Sequence, residues 1–168
     1  MNLVIQSLSN FLHILATVVW IGGIVMILLV ILPGAKVVLE SKSLVSKLMK
    51  DISKRFTFMA NISIIVLIIT GIIITKYNKN FTGFLDFDNY VNIVIFIKHL
   101  FVAAMVIIHF YRGLILNPRI VGLSTQIIES SELSSKAARL QIFSLNLVKT
   151  NLVLGLVVLL LTGISSSL

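Results

Sequence analysis

The sequence predicts an all-α integral membrane protein: a four-helix up-and-down bundle, its halves resembling one helix pair used twice, with short amphipathic helices in the cytoplasmic loops. Three observations predict it. The 168 residues are 58% hydrophobic and only 12% charged, with a mean hydropathy of +1.08, whereas a soluble domain is closer to half apolar and a quarter charged. Four apolar runs are each long enough to cross the ~30 Å hydrocarbon core, which takes roughly 20 helical residues. Polar, lysine-bearing segments separate the runs. One domain covering 1–168 is the simplest partition.

Helix one covers residues 8–32 and is expected to stop at the breaker pair Pro33-Gly34. The first nineteen residues hold no Lys, Arg, Asp or Glu. The basic start of a signal peptide is therefore missing, and the run is too long for a signal core, so it is expected to stay as a membrane helix. Between residues 36 and 55, Leu44, Val45, Leu48, Met49 and Ile52 recur at helical spacing among Lys42, Lys47, Lys50 and Lys54. That pattern predicts a short amphipathic helix at the headgroup level. Helix two covers 56–75 and carries Asn61 and Thr70-Gly71. Residues 76–89 are polar with four aromatics, as expected of an interfacial loop.

Helix three covers 90–116 and is closed by Asn117-Pro118. Its polar load is heavy: Lys98, His99, His109 and Arg112, with Met105 among them. Residues 119–141 form a second basic segment. Helix four covers 142–165 and contains Asn146, Lys149, Asn151 and Thr162-Gly163.

Orientation follows from Lys and Arg. The first loop holds Lys36, Lys42, Lys47, Lys50, Lys54 and Arg55; the second holds Lys76 and Lys79; the third holds Arg119, Lys136 and Arg139. Loops 33–55 and 117–141 are expected in the cytoplasm, with both termini outside. The net charge of +8 is explained by this asymmetry and by attraction to anionic lipid, without nucleic acid. The chain has no cysteine, which excludes disulfides, thiolate metal sites and c-type haem attachment. There is no Walker A loop, G-x-G-x-x-G or nucleophile elbow, so energy-coupled transport by this chain alone is not expected.

The halves match loosely. Each is a helix with an early histidine, a basic segment, then a helix ending in Thr-Gly; NISIIVLIITGI resembles NLVLGLVVLLLTGI. Helices one and three then run parallel. His13 lies about 8 Å into helix one and His99 about 13 Å into helix three, at 1.5 Å per residue. Gly71 and Gly163 fall in the same outer layer. Two intramembrane histidines beside two glycines suit a b-type haem: imidazoles ligate the iron and glycines admit the flat macrocycle. Trp20, two turns after His13, and Lys98 complete the expected cofactor surround. His109 lies ~15 Å deeper than His99. With Met105 and, by depth, Met26, it forms a candidate second site whose soft donors suit Cu(I).

Blander readings exist for each residue. His13 can be a packing histidine bonded to a neighbour's hydroxyl, and His99 can make an interior hydrogen bond while Lys98 snorkels outward. His109 can belong to a polar cluster with Arg112. Trp20 can be packing, and the Thr-Gly pairs can be close helix contacts.

The pattern Leu12, His13, Ala16, Trp20, Gly22, Gly23 resembles the first helix of the CopD copper-resistance membrane domain family. Arg55-Phe56, Thr70-Gly71, Lys98, Arg112 and Pro118 continue the likeness over nearly the whole chain. The resemblance implies a role in copper uptake or tolerance. The His13 motif with Lys98, eleven residues before His109, also resembles the HemJ type of protoporphyrinogen oxidase. That likeness implies haem binding, with His13 and Lys98 as functional residues.

Three classes of function follow. The first is a metal-centre protein with haem b between His13 and His99, passing electrons between a quinone and a redox partner protein. The second is copper movement through successive polar layers. The third is a non-catalytic subunit of a homo-oligomer or larger membrane complex.

Overall fold

The structure, a computed structural model, describes residues 3–78, 81–83, 90–126 and 131–167. Among these there is no strand. Four helices are long and apolar enough to cross a membrane. We name them α1 (Leu3–Val38), α2 (Lys42–Lys76), α3 (residues 90–126) and α4 (Ser131–Ser167). The chain divides into two compact units, Met1–Asn92 and Ile93–Leu168.

In the first unit α1 packs along α2. Ser9, Ala16, Trp20, Ile21, Ile24 and Ala35 are the buried residues of α1, and Ala60, Ser63, Ile64 and Thr70 those of α2. Small residues make up half of the first set and three of the four in the second, and Ala60 is 0% exposed. This is the composition that lets transmembrane backbones approach, because lipid supplies no hydrophobic drive to hold helices together. Large aliphatics such as Leu29, Ile65 and Ile72 stay exposed on the outside of the pair, where lipid tails solvate them.

The helices run further than the sequence suggests. Pro33-Gly34 does not end α1, which continues to Val38. The reason lies in the preceding turn: Met26–Ile31 is π-helical, as is Val18–Gly22 further back. A proline ring clashes with the carbonyl four residues back and gives it no N–H; a widened turn shifts bonding to the fifth residue and relaxes both demands. Asn117-Pro118 likewise fails to end α3. The π-helical turn Arg112–Leu116 precedes it, and helix continues to Gln126. The same widened turn before a proline thus occurs in both halves.

The predicted short amphipathic helices are not separate elements either. The first is the opening of α2, and the second is divided between the end of α3 and the start of α4. Only Leu39 to Ser41 interrupts helix between α1 and α2. Ser41, in extended conformation, caps α2 by accepting a hydrogen bond from Ser43 N at 3.2 Å. At its far end Lys76 sits in the last turn, favourable for the helix dipole, with its ammonium 5.9 Å from the Tyr77 ring. Beyond it the Asn92 amide accepts from Thr82 N and donates to Thr82 Oγ1 at 2.7 Å. Of the predicted interfacial loop, residues 79–80 and 84–89 lie outside the described residues.

In the second unit α4 lies closest to the stretch of α3 from Arg112 to Gln126. Ala137, Ser144 and Asn151 are buried at seven-residue intervals along one face of α4, the repeat that keeps a seam facing a partner helix.

Candidate metal-binding site

His13 is half-buried on α1 and meets Thr70-Gly71 of α2. Its Nδ1 is 2.8 Å from Thr70 Oγ1. The Thr70 hydroxyl has one proton, and it lies 2.6 Å from the Val66 carbonyl, which can only accept. The hydroxyl oxygen must then accept from His13, so Nδ1 carries the proton. This assignment makes Nε2 the basic nitrogen of the ring. An imidazole whose Nδ1–H is held by a second residue is the arrangement that orients a histidine for metal. Gly71 keeps the ring's space open: a Cβ there would sit 3.6 Å from His13 Cε1. One turn on, Thr17 Oγ1 donates to the His13 carbonyl at 2.8 Å.

Trp20, one stripe further along α1, is 2% exposed and lies within the first π-helical turn. Three residues on, Gly23 carries the Phe56 ring: a Cβ there would stand 2.9 Å from Phe56 Cδ2 and closer still to Cε2. Only glycine admits that ring without movement.

His99 belongs to the second unit. Its Nδ1 lies 2.7 Å from the Ile95 carbonyl. A carbonyl only accepts, so here too Nδ1 is protonated and Nε2 is the basic nitrogen. Lys98 beside it is half-buried. Gly163, expected to mirror Gly71, is exposed, with nothing within 4 Å of an added Cβ. Thr162 repeats the backbone bond of Thr70, donating to Val158 O at 2.8 Å, on an exposed surface.

Met105 and His109 are both buried on α3. Asn151 of α4 donates from Nδ2 to the Met105 carbonyl at 3.3 Å. Arg112, half-buried, donates from Nε to Ser144 Oγ at 3.2 Å. Neither Ser144 nor the Asn151–Met105 bond was foreseen from sequence; the seven-residue spacing of Ala137, Ser144 and Asn151 was the signal available. Met26, grouped by depth with Met105 and His109, is half-exposed on α1 in the first unit. Among the described residues no group of three or more His, Cys, Asp or Glu converges as a metal site.

Fold and site together define a multi-pass helical membrane protein with oriented histidines inside the membrane. Residues 50–165, more than two thirds of the chain, match the model of the family Copper resistance protein D, and the chain belongs to this CopD family. It is thereby a copper-resistance-related membrane protein. The matched residues contain Thr70, Gly71, His99, Met105 and His109; His13 precedes them. No curated protein and no solved structure matches the chain.

Proposed function

We propose that this protein binds Cu(I) as cargo within the membrane and serves copper tolerance or uptake. His13 is its principal ligand. The observation that supports this reading is the His13–Thr70 hydrogen bond: it fixes the proton on Nδ1 and keeps Nε2 as the ligand nitrogen in an otherwise apolar span. Ionisable residues inside a membrane mark ion or substrate pathways far more often than they mark packing. Copper(I) accepts few, soft donors, and the available imidazole and thioether groups fit it. The Lys and Arg of segments 33–55 and 117–141 put those segments on the cytoplasmic side.

The test compares cells expressing the native chain or His13→Ala, reading copper content and growth in copper, with anaerobic Cu(I) titration of the detergent-purified proteins. The native chain should change cellular copper and bind Cu(I), and His13→Ala should weaken both. Equal behaviour of the two proteins, or no Cu(I) binding at all, overturns the reading.

A second reading, b-type haem with imidazole ligation, is favoured by His99, whose Nδ1–H is committed in the same sense. Bound haem would supply one-electron redox chemistry, and His99 would ligate it through Nε2. A reduced-minus-oxidised visible spectrum of the same samples separates the readings: a sharp b-type α-band lost in His99→Ala favours haem.

A further inference from the structure

We propose that Met105, His109 and Asn151 form a second Cu(I) site, inside the unit of residues 93–168. The proposal rests on the copper reading above and adds a station to it. Met105 and His109 are one helical turn apart on α3, so their Cβ atoms stand about 5–6 Å apart on one face and both side chains can reach one ion. Both are withdrawn from the surface, at 1% and 5% exposure, and Asn151 at 3%. From Tyr90, an interfacial anchor type, the axial rise to Met105 is about 22 Å, within the ~30 Å hydrocarbon core.

Asn151 provides the observation that points to a ligand. Its Nδ2 is committed to the Met105 carbonyl. Its Oδ1, at the other end of the amide, is buried with no hydrogen-bond donor among the described residues. A buried acceptor in that state is a standing penalty, and a cation or a donor placed beside it removes that penalty. The amide is pinned to the carbonyl of the residue whose thioether is itself a soft donor. Thioether and imidazole are the donors that suit a soft monovalent cation, and the amide oxygen, a harder donor, adds its dipole beside the charge. Charge limits the ion: the guanidinium of Arg112, three residues beyond His109 and held on Ser144 by its Nε, opposes any cation here, and one positive charge less than two. Aliphatic side chains would fill this space equally well if packing were the only demand.

The test is anaerobic Cu(I) titration against a chromophoric chelator, with X-ray absorption at the copper edge, on the detergent-purified full chain. The native protein should bind two equivalents and show sulfur in the first coordination shell. Met105→Leu, a volume-conserving change, should lose one equivalent together with the sulfur signal. His109→Gln should also lose one equivalent, and His13→Ala should lose the other while keeping the sulfur. If His109→Gln fails to elute as native protein, Met105→Leu decides alone. One equivalent in the native chain, lost in His13→Ala and unchanged in Met105→Leu, overturns this site and leaves the copper reading standing. No bound copper in the native chain overturns both.

Discussion

Replacing Thr70 by valine tests the His13 site with little change of shape. Thr70 is 4% exposed, and its hydroxyl sits between the Val66 carbonyl and His13 Nδ1. Valine keeps the branched volume and removes the acceptor. The Nδ1–H then loses a partner worth about 1–3 kcal/mol when buried. The imidazole recovers part of that by moving its proton to Nε2, and this removes the lone pair that binds metal. Loss of such an orienting partner weakens metal affinity by about 10–100-fold, which is about 1.4–2.7 kcal/mol in binding free energy. The assay is Cu(I) titration of native chain, Thr70→Val and Thr70→Ser under one chelator. Serine retains the hydroxyl and should bind close to the native Kd. The reasoning is refuted if Thr70→Val binds as tightly as the native protein, or if Thr70→Ser falls as far as valine.

Further substitutions probe the packing around the site. Gly22→Ala meets nothing within 4 Å, while Gly23→Ala drives a methyl into the Phe56 ring. The Gly23 variant should therefore melt below the Gly22 variant by the equivalent of about 1–3 kcal/mol, read as loss of the native elution peak after heating in detergent. Phe56→Leu should restore part of the difference. Ser144→Ala removes the acceptor of the Arg112 Nε–H and should destabilise by about 1.5–3 kcal/mol, as a hydrogen bond to a charged group does. Thr162→Ala, on an exposed surface, should stay within about 0.5 kcal/mol in the same heating series.

The spans were legible because length and apolarity dominate a membrane helix, and counting 1.5 Å per residue down antiparallel helices was enough to put His13 and Thr70-Gly71 in one layer, though not to pair them. Helix ends were misread for a definite reason. The rule that proline stops a helix presumes bonding to the fourth residue, and nothing in ILLVILPG announces a widened turn. The Gly23–Phe56 and Asn151–Met105 contacts depend on how each helix is rotated about its axis, which periodicity constrains only loosely. Thr162-Gly163 marks the limit of reading by likeness. It copies the letters and the backbone bond of Thr70-Gly71, yet stands exposed, since a local hydrogen bond repeats with sequence while a neighbour across the interface does not.

The π-helical turns ahead of Pro33 and Pro118 also change how the chain should respond to losing a residue. A widened turn behaves as an α-helix with one residue inserted, its flanks kept in phase. Deleting one residue from Met26–Ile31 or Arg112–Leu116 removes the insertion and leaves the flanks in phase, with the proline clash that the widened turn relaxed as its local cost. Deleting one from the uninterrupted α2, between Ala60 and Thr70, turns everything beyond it by about 100°, given 3.6 residues per turn, and carries Thr70 away from His13. Length variation between relatives of this chain is thus expected to collect at the widened turns, while the stretch joining Ala60 to Thr70 keeps its count.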